Sequence, residues 1–402
     1  MALILLCFGA PFSCAEPQEA TATAIEAAED DSWSPFGAVG RIAPLRSLSR
    51  SSRDDADSFA DWVWSLPVLY RNRDAHLLQE IRLIGRYHGQ YGSISGSGGD
   101  WDGWENRRKR LGFVVDFLQD FRFRVQAKGG GESGVFDGEN IEDAWIAWRP
   151  SSDLGLVAQV GQFKPLWSYE YSLSSNKMST FERSQFINQF HPSRATGAMI
   201  GIRRDPWIFA LSGFSGDIET GYGSGTGSFG LVNVGWDLSD RLAGWDSLKW
   251  RLDYLYNDGS DQIGLYRHAV ATNVAGARGR WEVAVDLMYI DGDRGQGNAF
   301  GLTILPVYEL IEDKLQFAAR YHLSTASNDS LLLQERYEQE LSGLELRAPG
   351  DRYQSVYAGL NWLVYGHNLK FMTGVEYSTR DSSEEAGEFD AWTVFSGIRI
   401  SF

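Results

Sequence analysis

Asp390-Ala-Trp-Thr-Val-Phe-Ser-Gly-Ile-Arg-Ile-Ser-Phe402 is the stretch that decides the fold. Its alternate side chains fall into two sets. One holds Trp392, Val394, Ile398, Ile400 and Phe402; the other holds Thr393, Phe395, Gly397, Arg399 and Ser401. Side chains alternate across a strand, so this segment is greasy on one side and mixed or polar on the other. A strand of that kind, stopping on an aromatic residue, is how transmembrane β-barrels finish.

The same beat recurs upstream. Within Leu77–Tyr91, Ile81, Leu83, Tyr87 and Tyr91 oppose Glu80, Arg82, Arg86, His88 and Gln90. Phe121, Phe123, Val125 and Ala127 oppose Arg122, Arg124, Gln126 and Lys128, after a tight turn at Gln119-Asp120. Trp250, Leu252, Tyr254 and Tyr256 oppose Lys249, Arg251 and Asp253. A helix would mix these sets, because it advances by 100° per residue. A soluble sandwich would turn every 8–12 residues. Here the segments are longer, short and long connections alternate, and aromatics gather near strand ends (Tyr91, Trp148, Tyr256, Trp281, Tyr289, Trp362, Trp392). The expected fold class is therefore all-β, a transmembrane antiparallel β-barrel. About 340 residues at roughly 20 per strand and its connection give about 16 strands.

Composition agrees. After the N-terminus there is no run of 18 apolar residues to serve as a spanning helix. Aromatics at 13% and 44 glycines suit girdles and loops. Residues 1–15 have a short apolar core and a small-x-small end, Ser13-Cys14-Ala15, and are expected to be a secretory signal cut after Ala15. A lipid-anchored Cys14 is the competing reading, although Pro11-Phe12-Ser13 is a poor lipobox. Residues 16–60 read as a flexible periplasmic extension, and 61–402 as the barrel domain.

The formal charge is −16, but its placement matters more than its sum. Acids crowd the expected loops: Asp100, Asp102 and Glu105; Asp237, Asp240 and Asp246; Glu335, Glu338 and Glu340; Glu384, Glu385 and Glu388. The expected lumen face is basic. In the alternating register Arg82, Arg86, Arg110, Arg122, Arg124, Lys128, Lys249, Arg251, Lys314, Arg320, Lys370 and Arg399 point inward. Fewer acids share it: Glu80, Asp116, Asp143, Asp253, Glu282, Asp286 and Glu376. Guanidinium and ammonium donors can replace the hydration of a permeating anion, and arginine's planar fork suits phosphate. Spreading the charge keeps each site weak enough to release the ion. The competing reading is structural, with these cations pairing lumen acids and tying loops to the wall.

A long segment follows the strand at 156–163. It carries Lys164, Ser174, Ser175, Asn176, Lys177, Arg183 and Arg194. A connection of this length is usually functional or disordered. Folded into the barrel, it would form a constriction loop presenting hydroxyl, amide and guanidinium donors.

Four short motifs here resemble one family. They are Gly161-x-Phe163-Lys164-Pro165, Ser174-Ser175-Asn176, Phe181-Glu182-Arg183-Ser184 and Pro192-Ser193-Arg194-x-x-Gly197. With Gly85-Arg-Tyr-His-Gly-Gln-Tyr91, Trp104-Glu-Asn-Arg-Arg108 and Glu142-Asp-Ala-Trp145, the chain resembles the phosphate-selective porins O and P over residues 61–402. The resemblance implies a sixteen-stranded, trimeric porin of the bacterial outer membrane with the long loop folded inward. It also implies anion selectivity resting on inner-wall arginines and nearby lysines, which carries over to the basic positions named above.

Other signals carry less. Gly225-x-Gly227-x-x-Gly230 precedes a strand rather than linking a strand to a helix, so it is no phosphate cradle. The six histidines show no ligand spacing, so no metal or cofactor is expected. Leu331–Leu346 reads as an extracellular loop with one helical turn. The expected function is a passive channel for small anionic solutes such as phosphate, with lipids and copies of itself as partners and no nucleic acid. The alternatives are a general or sugar-type porin, whose lumen charges cancel, and a barrel enzyme, for which no Ser/His/acid group can be assembled.

Overall fold

The computed structural model describes residues 56–129, 141–150, 155–215, 227–258, 265–341 and 348–402. A helix, α1 (Ala56–Ser65), leads into a short strand, β1 (Val68–Arg71). The wall then begins with β2 (Leu78–Gly96), β3 (Gly99–Phe117), β4 (Phe121–Lys128), β5 (Ile141–Trp148) and β6 (Val157–Phe163). It continues through β7 (Ala195–Arg204), β8 (Trp207–Ser215), β9 (Ser228–Asp237), β10 (Ser247–Asn257), β11 (Tyr266–Arg278) and β12 (Trp281–Gly292). The last strands are β13 (Ala299–Ile311), β14 (Leu315–Ala326), β15 (Arg352–Tyr365), β16 (Leu369–Asp381) and β17 (Phe389–Ser401).

Each wall strand pairs antiparallel with the next, and β17 pairs with β2 from Ala391↔Gly96 to Ser401↔Arg86. That pairing closes a 16-strand cylinder. Closure leaves no sheet edge, which is what hydrocarbon demands of a β-structure. The short turns 118–120, 205–206, 279–280, 312–314 and 366–368 lie at one end, and the connections 164–194 and 382–388 and the segment 327–341 at the other. At the β3–β4 turn, where a tight reversal is expected, Leu118 and Gln119 adopt φ of 51° and 65°.

The outer surface is apolar in the places the alternation predicts. Trp148, Tyr256, Trp281, Tyr289, Trp362 and Trp392 are all exposed. In water so much exposed apolar area would drive association; around a membrane barrel it faces lipid.

The described structure begins inside the expected extension. Residues 56–60, assigned to the extension, form the first half of α1, which runs on to Ser65. Trp64 ties this helix to the barrel: its Nε1 donates to the Ser401 carbonyl at 2.8 Å and its ring stacks on Tyr365 at 4.7 Å. The signal peptide at 1–15 and the rest of the extension lie outside the described residues.

The long loop does fold inward. It carries two short helices, α2 (Tyr169–Ser172) and α3 (Gln185–Phe190), and buries Trp167, Phe186 and Ile187 almost completely. These pack on lumen-facing Phe214, Phe229, Leu231, Leu255, Met288 and Ile290. The wall there is apolar on both faces because both are covered, by lipid outside and by the loop inside. Burial in an aqueous lumen contributes about 2 kcal/mol for a side chain such as Phe186 or Ile187. Phe186 fits because residue 301 is glycine: a Cβ there would come within 2.6 Å of the ring.

Candidate functional site

The wall register places most of the expected cations inside. Arg82, Arg86, Arg122, Arg124, Arg251, Arg320, Lys370 and Arg399 are buried within the cylinder. Arg110 and Lys249 are inward and partly buried. One residue departs from the expectation, and one keeps the expected face at the margin of the wall. Lys314 lies in the exposed turn between β13 and β14; Lys128, the last residue of β4, is exposed but shares the face of Arg122 and Arg124 and is paired with Arg110. The two-residue beat assigns a face only within the paired wall; it says nothing of a turn, and at a strand's last residue the side chain reaches solvent.

Four inward cations hold the loop rather than face an open lumen. Arg399 donates to the carbonyls of Ser175, Thr180 and Phe181 at 2.9, 3.2 and 2.6 Å. Lys370 donates to Met178 O at 2.7 Å. Arg251 reaches Ser168 O at 2.6 Å and pairs with Asp253. Arg320 donates to Glu182 O at 2.8 Å and pairs with Glu170, Glu335 and Glu376. From β12, between the strands of Arg251 and Arg320, Asp286 accepts the N–H groups of Tyr169 and Glu170 at 2.9 and 3.2 Å, satisfying orphan donors at the start of α2. The turn at Ser174, Ser175 and Asn176 faces β2. Arg86 donates to Ser175 Oγ, and Asn176 Oδ1 meets His88 Nε2 at 3.0 Å. Lys177 is half-buried on the same turn, its N–H on Ser174 O.

A second group of cations gathers beside the loop. The wall supplies Arg86, Arg110 and Arg124; the loop supplies Lys164 near its start, Arg183 in its middle and Arg194 at its end. Two carboxylates of β5 stand among them. Glu142 lies 2.5 Å from Arg110 and 3.9 Å from Arg194. Asp143 lies 2.9 Å from Arg194 and 3.5 Å from Arg124. Lys164 sits 4.5 Å above the Tyr171 ring, with Arg183 at 5.9 Å from the same ring. Among the described residues, basic groups thus outnumber the carboxylates salt-bridged to them here, with Glu170 and Glu182 also acting on Arg183.

The excess is felt by the loop's titratable groups. Burial, then Arg183, Arg194, Arg110 and Arg86, pull the Lys164 ammonium well below its ordinary value. Burial pushes His191 down to about 4, with Arg183, Lys164 and Arg194 adding to the effect. Across the wall, Arg86 is directly opposite Arg110, Arg110 opposite Lys128, and Arg399 opposite Lys370. Like charges directly opposed destabilise a sheet, so the arrangement works against the fold it sits in.

Two functional residues, Arg107 and Glu142, escape the two-residue beat because two strands bulge. The β2–β3 register shifts between His88↔Arg108 and Gly89↔Asn106, which leaves Arg107 as an extra residue. Arg107 and Arg108 thus both turn inward onto Glu182 of the loop, at 2.7 and 3.7 Å. In β5 the register shifts between Gln126↔Asp143 and Ala127↔Ile141, leaving Glu142 extra, so Glu142 and Asp143 both enter the lumen. The sequence does hold a signal. Two consecutive charges in a wall strand cannot alternate without placing one toward lipid, which is costly.

The acids also need correction. Asp100, Asp102 and Glu105, expected in a loop, lie on β3. Glu335 and Glu338, expected outside, are buried within the barrel by a second inward segment, 327–341, whose one helical turn spans Glu338–Glu340. Near the short-turn end Arg82, Arg122 and Lys249 pair with Glu80, Asp116 and Asp237 at 3.5, 2.6 and 3.8 Å. Positive charge is therefore concentrated at the constriction rather than spread along the whole wall. Among the described residues no group of three or more His, Cys, Asp or Glu side chains is placed to hold a metal ion.

Comparison with known proteins gives the same architecture. Residues 81–231 match the family model "Phosphate-selective porin O and P", the family whose motifs the loop carries. Among solved structures, the anion-selective porin from Comamonas acidovorans aligns with a TM-score of 0.55 at 11% identity, covering 80% of this chain and 99% of that one. OprB of Pseudomonas putida aligns with a TM-score of 0.54 at 11% identity, covering 80% and 94%. The outer-membrane channel DcaP of Acinetobacter baumannii aligns with a TM-score of 0.53 at 14% identity, covering 83% and 100%. No curated protein sequence matches the chain. The closed barrel, its apolar belt and the family match make this a porin-type channel of the bacterial outer membrane.

Proposed function

We propose that this outer-membrane barrel, a porin with the phosphate-selective O and P family match at residues 81–231, is a passive diffusion channel that prefers anions, phosphate and related oxyanions above all. The observation that carries the reading is the local excess of charge. Among the described residues, the basic side chains Arg86, Arg110, Arg124, Lys164, Arg183 and Arg194 gather where the loop narrows the lumen, with Glu142 and Asp143 as the acids salt-bridged to them and Glu170 and Glu182 acting on Arg183. A permeating oxyanion exchanges water for several guanidinium donors, and the carboxylates compete for those donors, which favours release. The anion selectivity in the description of the Comamonas acidovorans porin belongs to that protein, but it fits the same fold.

The reading includes a homotrimer, as the family resemblance implies, with residues 1–15 removed as a signal. Reversal potentials in a KCl gradient test the ion preference: an anion-selective sign is expected, and a cation-selective sign would refute it. Block of chloride current by low concentrations of phosphate tests the oxyanion preference. Equal block by sulfate and phosphate would leave the channel anion-selective without phosphate specificity. A general porin, the competing reading, would show a reversal potential near zero.

A further inference from the structure

The second inward segment carries an arrangement that ion selectivity does not explain. Residues 327–341 leave β14 and descend onto the constriction loop. Gln185 Nε2 donates to Leu332 O at 2.8 Å and Gln189 Nε2 to Ser330 O at 2.8 Å. Leu331, Tyr337 and Leu341 are buried, Tyr337 stacking on Trp101 and packing against Phe395. Arg380 Nη1 holds Leu331 O, and Arg336 pairs with Glu105 of β3 at 2.7 Å.

At the base of this segment one guanidinium serves a crowd of carboxylates. Arg320 of β14 meets Glu335 of the segment at 3.4 Å, Glu376 of β16 at 2.8 Å and Glu170 of α2 at 3.0 Å. Glu338 is also buried here. Its Oε1 accepts from Tyr353 of β15 at 2.7 Å and Ser378 of β16 at 2.9 Å, and its Oε2 from the N–H of Glu335 at 3.2 Å. Among the described residues, Glu338's hydrogen-bond partners are all neutral donors. Three buried acids thus meet one arginine, which itself also binds the constriction loop through Glu182 O, and a fourth, Glu338, is buried beside them with neutral donors.

We propose that segment 327–341 is a proton-dependent lid, seated in the lumen while its buried carboxyls are neutral and displaced when they ionise. It rests on the barrel conducting, and not on which ion it prefers. Burial pushes Glu338 up to about 7, Glu376 adding to the effect while the Tyr353 and Ser378 hydrogen bonds oppose it. Burial and Glu376 raise Glu335 well above the ordinary value against the pull of Arg320. The sign follows. A carboxyl released to water ionises near pH 4.3, so the penalty for seating Glu338 begins there and grows until pH reaches about 7. Closure is favoured in acid and weakened as pH rises.

Single-channel conductance in symmetric KCl reads the lid without reading selectivity. The ratio of open to lidded states is expected to rise by up to tenfold per pH unit across that window, as one proton leaves. Glu338→Gln is expected to remain lidded where the wild type opens. An unchanged wild-type ratio from about pH 5 to about pH 8, or the same step in Glu338→Gln, would overturn the proposal. A second readout needs no current. The chain's only cysteines are Cys7 and Cys14, so Tyr337→Cys can be labelled with an impermeant maleimide, normalised to the exposed Glu384→Cys. Faster normalised labelling at high pH supports a moving lid, and a flat profile refutes it. A barrel that labels with the expected step yet never conducts would sink the channel reading and leave the lid standing.

Discussion

Arg107 and Arg108 are consecutive in β3, yet both reach one carboxylate, Glu182 of the constriction loop. The bulge that makes this possible converts a wall strand into a two-pronged latch, with Gln90 Nε2 adding a third donor at 3.1 Å. Burial opposes charge on Glu182, but Arg107 and Arg108 prevail and hold the carboxyl below the ordinary range.

Glu182→Gln should therefore loosen the loop. Removing the carboxylate leaves two guanidiniums facing each other, a cost of about 2 kcal/mol once the partial exposure of Arg107 is allowed for. The expected readouts are a lower temperature of unfolding on a heated gel and a noisier open channel. The latch's stabilisation is complete above the unfolded carboxyl value near pH 4.3 and is lost only as pH falls through the depressed folded value. A wild-type loop that loosens between pH 7 and 5 through this latch would contradict that assignment.

Charge changes at the constriction should move selectivity in opposite directions. One unit charge roughly 8 Å from a permeating ion in water is worth about 0.5 kcal/mol, or about twofold in permeability ratio. Glu142→Gln should shift the KCl reversal potential toward stronger anion preference, and Arg194→Gln away from it. Shifts of the same sign in both variants would show that the two side chains act by positioning rather than by charge.

Arg399 separates holding from selecting. Its donors are taken by loop carbonyls, so Arg399→Gln should alter the conductance level and its noise more than the reversal potential. A reversal shift as large as that of Arg194→Gln would place Arg399 in the ion path instead.

Closure of the barrel depends on a close approach. Phe402 lies over Gly85 of β2, where a Cβ would come within 2.2 Å of the ring, and the Gly85 and Phe402 backbones exchange hydrogen bonds at 3.0 and 3.1 Å. Gly85→Val must displace the ring, at a cost of about 1–3 kcal/mol. A reduced yield of heat-modifiable barrel is expected, with wild-type selectivity in the fraction that folds.

The strand beat makes the wall legible wherever pairing is regular. Arg122, Arg124, Arg251, Arg320 and Arg399 all lie inside, because a one-residue slip would expose every one of them to lipid. The motifs around Lys164, Arg183 and Arg194 likewise mark the inward loop. What the beat misses has a local cause in each case. Arg107 and Glu142 are bulge residues, Lys314 is in a turn, and Glu335 and Glu338 ride on a connection whose path no periodicity encodes.

Alternation by itself determined a closed cylinder, its lipid face and the sign of most inner-wall side chains, because hydrocarbon tolerates only one of the two faces. Tertiary structure decided which inner cations are spent on loop carbonyls and which stand together with too few acids. That division depends on where residues 164–194 and 327–341 come to rest against strands hundreds of residues away, and such contacts leave no period in the chain.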